Sequence, residues 1–255
     1  MDILSIAGIG LGIFILYFGI SSGGGVETFL NPNAFLIVLG GTFASIMIGT
    51  PIRHVMGAIR EVCTLFFSRE KHSPADIVLL MINLSRKAHK YGLASIRSEG
   101  KKLRIKFLDR AIRIASSGMQ NETIRKVLEK EIIETREHQK EAANIFRTMG
   151  MFAPMFGLVG TVVGIIKLLG HLTQIETIGP SMALAITTTF YGIFFANLVF
   201  IPISSKLRLK SQEQTIIKEM IMEGILSIKA GEIPYVIKSH LQAFVDKNIE
   251  VKKGR

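Results

Sequence analysis

The sequence predicts an all-α membrane protein: four transmembrane helices, long cytoplasmic helical extensions and a compact helical cytoplasmic domain. The chain of 255 residues is 48% hydrophobic and has a mean hydropathy of +0.39, which is too apolar for an ordinary soluble domain. Yet 20% of its residues are charged, so apolar and charged residues must be segregated along the chain. Four apolar runs are each long enough to cross a bilayer.

The four predicted spans cover residues 3–20, 34–50, 151–169 and 182–203. The first two are short but uncharged and rich in Ile, Leu and Phe, and prolines stand on both sides of the second. A buried hairpin of a soluble protein is the alternative for this first pair.

The placement of basic residues predicts the orientation. Of the 31 Lys and Arg residues, 20 lie in residues 51–150 and 10 in residues 204–255, and Lys167 is the remaining one. The short connections 21–33 and 170–181 contain none. Because basic segments stay on the cytoplasmic side, both basic blocks and both termini are expected inside the cell.

This pattern divides the chain into four segments. Residues 1–50 form a first transmembrane hairpin and residues 51–150 a cytoplasmic helical domain. Residues 151–203 form a second hairpin, and residues 204–255 a cytoplasmic C-terminal helix and tail.

The cytoplasmic segments carry helix signals. Ser73, Pro74 and Asp76 form a capping box with proline at the first helical position, and Gly92 ends the helix that follows. A second amphipathic helix includes Leu103, Phe107, Leu108, Ala111, Ile112 and Ala115, and Gly118 ends it.

Two long helices are expected to leave the membrane. One starts near Asn121 and runs without a breaker into the third span. The other continues from the fourth span, past Pro202, to Gly231 and Pro234.

The residue types argue against several functions. No phosphate-binding loop, nucleophile elbow or CxxC pair is present, the histidines are scattered, and neither an enzyme nor a metal or cofactor site is predicted. The net charge of +11 is typical of a cytoplasmic face beside anionic lipid, so no nucleic acid partner is expected. The lone Cys63 is interpreted as structural.

The spans contain no Asp, Glu or His, the groups that usually mark an ion path. The third span instead has small residues at Gly157, Gly160 and Gly164, where another helix can approach closely. Thr161 there, and a threonine run at 187–189 in the fourth span, could form a polar seam that uses a charged group from another chain. Alternatively, these hydroxyls bond only their own helices.

Several motifs in order resemble the MotA/PomA family, the A subunits of the flagellar motor stator, within the MotA/TolQ/ExbB proton channel superfamily. They are Leu36-Ile-Val-Leu-Gly40-Gly41-Thr42, Ala153-Pro154 with Gly157-Leu-Val-Gly160-Thr161-Val-Val-Gly164, Gly179-Pro180-Ser-Met182-Ala183-Leu-Ala185, Thr188-Thr189-Phe-Tyr191-Gly192, Ala196-Asn197-Leu-Val-Phe-Ile-Pro202 and Glu223-Gly224-Ile-Leu-Ser-Ile-Lys-Ala-Gly231-Glu-Ile-Pro234. The resemblance covers nearly the whole chain.

The resemblance implies a stator in the bacterial inner membrane that turns ion flow into torque. A homo-oligomeric ring of A subunits, expected to be a pentamer, encloses helices of a MotB/PomB-like B subunit. That subunit supplies the membrane aspartate, and the rotor switch protein binds on the cytoplasmic side. Flagellar rotation, motility and chemotaxis are the processes implied.

Residue roles are implied in the same way. Thr161, Thr188, Thr189 and Tyr191 would line the ion path, and Pro154 and Pro234 match prolines of torque generation or coupling. The rotor-facing charges would be Arg86, Lys87, His89, Lys90, Arg97 and Glu99. In this set His89 stands where the family has arginine and Arg97 where it has glutamate.

The three hydroxyls favour sodium over proton as the transported ion, because hard cations prefer oxygen ligands and sodium-type relatives resemble this chain there. Asn31, where a sodium-type relative can carry an acid, argues for the proton. Two other functions stay open: an ExbB/TolQ-like energiser of an outer-membrane process, and a membrane scaffold that conducts nothing.

Overall fold

The computed structural model describes residues 3–21, 29–67, 72–103 and 105–253, and within them every regular element is a helix. The α-helices are α1 (Ile3–Ser21), α2 (Pro32–Phe35), α3 (Gly41–Gly49), α4 (Ile52–Phe67), α5 (Pro74–Tyr91), α6 (Arg97–Lys102), α7 (Lys106–Ala115), α8 (Asn121–Gly170), α9 (Ile175–Phe195), α10 (Ile201–Ala230) and α11 (Pro234–Lys253). A 3₁₀ turn, Leu93–Ile96, precedes α6.

Two π-helical turns interrupt otherwise continuous helices. Leu36–Gly40 joins α2 to α3, and Ala196–Phe200 joins α9 to α10. In the first, the buried Thr42 hydroxyl donates to the Val38 carbonyl at 2.6 Å. The wider turn is therefore stabilised by a side chain as well as by the backbone.

Three helical stretches of the described residues are long and apolar enough to cross a membrane: Pro32–Gly49, Asn121–Gly170 and Ile175–Lys229. The first predicted span coincides with α1, in which Gly10–Gly19 is a shorter apolar stretch. The number of four spans therefore stays a prediction.

The two long helices expected from the sequence are confirmed. Helix α8 runs for 50 residues with Pro154 inside it. The second, Ile175–Lys229, is continuous through its π turn and ends before Gly231, whose φ is +80°. A positive φ is accessible to glycine at little cost, so Gly231 can reverse the chain before Pro234 starts α11.

The chain divides into two compact units, which are described separately. The first unit consists of Met1–Ser68 and Gln139–Leu209, and the second of Arg69–His138 and Lys210–Arg255.

The core of the first unit brings α3 and α4 against the apolar faces of α8 and α10. Its fully buried members include Val38, Ala58 and Ala153. The Ser204 hydroxyl donates to the Ala143 carbonyl at 2.7 Å, and His54 Nδ1 lies 3.0 Å from Glu141 Oε2.

The second unit has a core of large apolar side chains from five α-helices and the 3₁₀ turn. Those exposed by less than 2% are Ile77, Met81, Ile96, Leu108, Ile112, Ile124, Leu128, Met220, Ile221, Ile225, Ile237 and Leu241. Gly224 lets α10 approach this core, since an added Cβ would lie 2.7 Å from Met81 Cγ. Burial on this scale is the main stabilising term of a helical domain.

The predicted capping box is confirmed at the start of α5. Ser73 Oγ accepts from the Asp76 backbone N–H, and the Asp76 carboxylate accepts from the Ser73 backbone. The backbone bond from Ser73, followed by its hydroxyl bond, lowers the pKa of Asp76. Gly92, with φ +79°, ends the helix.

One boundary differs from the sequence prediction. Leu103 lies outside the second amphipathic helix, which begins at Lys106 with Ile105 in an extended conformation. The chain turns here because α6 folds back on α7. At Gly100 an added Cβ would lie 2.8 Å from the Asp109 Cα. Leu103 still packs on the same core.

Two polar contacts tie α8 to α10 in the second unit. Arg125 binds both carboxylate oxygens of Glu223, with Nη2 to Oε2 at 2.8 Å, and this hydrogen bonding raises the pKa of Arg125. Lys218 donates to Thr135 Oγ1 at 2.9 Å. Burial lowers the pKa of Lys218, partly offset by the nearby Glu131.

Candidate functional site

Two threonines of the predicted seam meet between α8 and α9. The Thr161 and Thr189 hydroxyl oxygens are 2.5 Å apart. Thr161 also lies within hydrogen-bond distance of the carbonyls of Gly157, at 3.1 Å, and Ala185, at 3.0 Å. Thr189 is exposed and Thr161 is half-buried. Hydroxyl and carbonyl oxygens thus converge at an accessible place on the first unit.

Glycines make this meeting possible, because they let the backbones of α8 and α9 touch. A Cβ added at Gly157 would lie 2.9 Å from the Thr188 carbonyl oxygen and 3.2 Å from the Thr189 Cα. One added at Gly192 would lie 2.7 Å from the Ala153 carbonyl oxygen. Small residues permit such crossings in membrane helices, where close packing replaces the hydrophobic effect.

Thr188 does not share the accessible position of its neighbour. It is fully buried, and its hydroxyl donates within α9, to the carbonyls of Leu184 at 3.0 Å and Ala185 at 2.9 Å. Its side chain fills the space that the missing Cβ of Gly160 leaves open. The Thr188 hydroxyl therefore bonds only to carbonyls of its own helix, whereas the Thr161 hydroxyl also contacts oxygens of α9.

Tyr191 also lies apart from the threonine pair. Two residues along a helix are about 200° apart, so Tyr191 cannot share the face of Thr189. Its hydroxyl donates to the Phe29 carbonyl at 2.5 Å and accepts from the Asn31 backbone N–H at 3.3 Å. The Asn31 side chain in turn accepts from the Ala34 N–H at 3.1 Å and caps α2. Sequence patterns could not predict this contact, which links residues 160 or more positions apart.

Comparison with known proteins identifies the family. Residues 99–249 match the model of the MotA/TolQ/ExbB proton channel family. The chain belongs to the MotA/TolQ/ExbB family. Motility protein A of Borreliella burgdorferi is 32% identical, with 96% of this chain and 94% of the relative covered. The uncharacterized protein YtxD of Bacillus subtilis (strain 168) is 34% identical, with 99% and 97% covered.

The fold agrees with a solved structure. The structure of C. jejuni MotAB has a TM-score of 0.87 and 27% identity to this chain, and covers 96% of both chains. An all-helical fold of the MotAB stator type is therefore confirmed for this member of the MotA/TolQ/ExbB family.

The two prolines that the resemblance singles out lie in different units. Pro154, within α8 of the first unit, has its Cα 3.0 Å from where a Gly192 Cβ would be, so it forms part of the close crossing. As a proline it cannot donate the usual helical bond to the Gly150 carbonyl. Pro234 is the first residue of α11 in the second unit.

The six charged residues predicted to face the rotor lie together on α5 and α6 of the second unit. Three of them take part in hydrogen bonds to other residues of the chain. Lys87 Nζ donates to Glu99 at 2.6 Å, and His89 Nε2 donates to the Glu232 carbonyl at 2.9 Å. The other three, Arg86, Lys90 and Arg97, are exposed. Glu99 thus supplies an acid two residues from Arg97, the position at which the resemblance leads us to expect glutamate.

Metal-ligating clusters do not occur in the described residues: no group of three or more His, Cys, Asp or Glu side chains could hold an ion. The oxygens around Thr161 and Thr189 are neutral. They can contribute ligands to a passing cation, but a carboxylate must come from elsewhere.

Proposed function

We propose that this chain is the A subunit of a flagellar motor stator, which couples ion flow across the bacterial inner membrane to torque on the rotor. One observation carries the proposal: the Thr161–Thr189 oxygens converge on an accessible face, in spans that contain no acid. Such a face needs a partner with a carboxylate. A B subunit with a membrane aspartate meets this need, and a relative named Motility protein A and the MotAB structure support it.

The deciding experiment is deletion of this chain followed by a swimming assay. Loss of swimming with intact filaments, restored by the wild-type chain, is the expected result. Unchanged swimming would refute the stator function. If an outer-membrane uptake process were lost instead, the chain would be an energiser of the ExbB/TolQ kind, which the family also includes.

The topology follows from the charge pattern: four spans, with both termini and both basic blocks in the cytoplasm. A cysteine placed at Thr177, in the 170–181 connection that contains no Lys or Arg, should react with a membrane-impermeant thiol reagent added outside. The native Cys63, which is exposed on α4, should stay protected in intact cells. A cysteine at Ser22 in the other short connection, a position that lies outside the described residues, should react in the same way. Labelling of Cys63 from outside would overturn the orientation.

Sodium is the proposed coupling ion, since dehydrated sodium needs several oxygen ligands whereas a proton needs only water and one carboxylate. Replacing Thr161 by Ala removes one such oxygen. The sodium concentration for half-maximal swimming speed should rise roughly threefold to tenfold, the worth of one hydrogen-bond-sized interaction.

A matched control for this change lies on the same helix. The Thr148 hydroxyl donates to the Asn144 carbonyl of its own helix at 2.9 Å, away from the seam, so Thr148→Ala should leave the sodium response unchanged. If wild-type rotation ignores sodium but stops when the proton gradient is dissipated, the ion is the proton and the stator function stands.

The chain alone should conduct no ions, because no span contains an acid that could take up a proton or replace a cation's hydration. Reconstituted into vesicles without a B subunit, it should show no ion flux, and co-expression with that subunit should produce flux. Flux through the purified chain alone would contradict this.

We further propose that the chain assembles as a pentameric ring around the B-subunit helices, with Arg86, Lys90 and Arg97 facing the rotor.

A further inference from the structure

The segment that leads into α2, a 3₁₀ residue at Phe29 followed by irregular backbone, is not α-helical, and Tyr191 is bonded to it twice. The Phe29 carbonyl accepts from the Tyr191 hydroxyl at 2.5 Å, and the Asn31 N–H donates to the same oxygen at 3.3 Å. Tyr191 belongs to the proposed fourth span. Irregular backbone beside a membrane span is tolerated only where its polar groups find partners, because hydrocarbon offers none. One phenol therefore supplies a partner to both a carbonyl and an N–H at the entrance to α2.

Aromatic packing supports these two hydrogen bonds. The Phe29 ring meets Phe190 edge-on at 5.6 Å between centroids, and the Phe35 ring meets Tyr191 at 6.3 Å and Phe195 at 5.9 Å. Edge-to-face pairs at these distances are favourable. The aromatic rings thus provide most of the contact area between this segment and α9, and the Tyr191 hydroxyl adds two directional hydrogen bonds.

The same turn of α9 is held from its other side by α8. Thr188 fills the space at Gly160, and Gly192 lies against the backbone of Pro154 and Gly157. Residues 188 and 192 face α8, whereas Tyr191 faces α2, so the turn that bears Thr189 is fixed between two helices. Thr189 itself stays exposed, with its hydroxyl on Thr161.

We propose that Tyr191 is a positioning residue: its hydroxyl ties the Phe29–Asn31 segment to α9 and thereby sets where the Thr189 oxygen stands in the ion path. The proposal rests on the stator function proposed above and replaces the role of Tyr191 as a lining residue. Tyr191 acts on the ion only through Thr189, so losing its hydroxyl loosens ion binding while leaving every oxygen ligand in place.

The functional test is Tyr191→Phe, which keeps the ring and its packing. Swimming speed is measured against external sodium at constant ionic strength, or against external pH if the wild type responds only to protons. The half-saturating ion concentration should rise about twofold to tenfold, the range of one lost hydrogen bond, while the maximal speed stays near wild type. Tyr17→Phe on α1, at an exposed tyrosine, is the matched control and should change neither quantity.

A second measurement tests the contact between Tyr191 and the Phe29–Asn31 segment directly and does not depend on a swimming assay. Cysteines replace Phe29 and Phe190 in a chain with Cys63→Ser, and a short thiol crosslinker is added to membranes. Crosslinking should be efficient with Tyr191 present and about twofold to tenfold slower with Tyr191→Phe, whereas Tyr17→Phe should not slow it.

The outcomes separate the two proposals. A wild-type chain that does not restore swimming refutes the stator function, yet the crosslinking still decides whether Tyr191 holds the segment. Equal crosslinking with and without the hydroxyl overturns the tie. Slower crosslinking with an unchanged half-saturating concentration overturns its effect on the ion, and a lower maximal speed alone would mean that Tyr191 serves only structure.

Discussion

Replacing Gly192 by alanine should force α8 and α9 apart, and the structure sets the size of the effect. The new Cβ would lie 2.7 Å from the Ala153 carbonyl oxygen, 3.0 Å from the Pro154 Cα and 3.2 Å from the Gly157 Cα. All three are backbone atoms, so no side-chain rotation relieves the clash. Overpacking of this kind costs about 2–3 kcal/mol, and alanine's better helix propensity returns about 1 kcal/mol. We expect a net loss of about 1–2 kcal/mol.

Gly10→Ala on α1 is the control, the same chemical change in the interior of another helix. Nothing lies within 4 Å of the Cβ position at Gly10, so only the propensity gain remains. For a chain of this length, 1 kcal/mol corresponds to about 2–4 °C in Tm. Thermal unfolding of the detergent-purified variants, followed by circular dichroism, should show a fall of about 2–8 °C for Gly192→Ala and a rise of about 2–4 °C for Gly10→Ala. Equal shifts of the same sign would refute the close crossing.

Three further predictions concern the second unit. Lys218→Met should raise the free energy of unfolding at pH 7, because a half-buried ammonium is replaced by an apolar side chain. Burial lowers the pKa of Lys218 in the folded chain, so between that lowered pKa and 10.5 the unfolded chain binds more protons than the folded one. The free energy of unfolding of the wild type should therefore rise with pH over this range. Urea titrations at several pH values should show a smaller rise for Lys218→Met. Glu223→Gln, which weakens a bidentate arginine pair, should cost about 1–2 kcal/mol in the same urea titrations, whereas Glu122→Gln, at an exposed pair, should stay within about 0.5 kcal/mol. Reversing Arg86 and Lys90 together to Glu should slow swimming, while membrane assembly, checked by immunoblotting, stays unchanged. Each single change should have a weaker effect, because exposed ion pairs contribute about 0–1 kcal/mol. Normal swimming of the double variant would mean that this helix face is only solvated.

Local signals in the sequence predicted the helices and their ends. The Ser73 capping box and the glycines at positions 92, 118 and 231 act through neighbouring residues, so their effect could be read from spacing alone. The unbroken course of α8 followed in the same way. At Leu103 the local pattern gave the wrong boundary, since hydrophobic spacing continues through a turn that only the packing of α6 on α7 explains.

The roles of individual site residues needed the third dimension. Thr188 and Thr189 are adjacent and chemically identical, yet one is buried on its own helix and the other meets Thr161. Spacing could not separate them, because the difference lies in what each side chain meets on α8: Gly160 for Thr188 and Thr161 for Thr189. Likewise, the pairing of Lys87 with Glu99 depends on the fold of the segment between them.

The two π-helical turns affect how relatives of this chain should be aligned. A π turn holds one residue more than the α-helical turn it replaces, so a relative with a regular helix there has one residue fewer. Alignments should therefore open single-residue gaps within Leu36–Gly40 or Ala196–Phe200, despite the helical context. Without the gap, every position beyond the turn is compared with a residue about 100° away around the helix, and buried and exposed positions are interchanged.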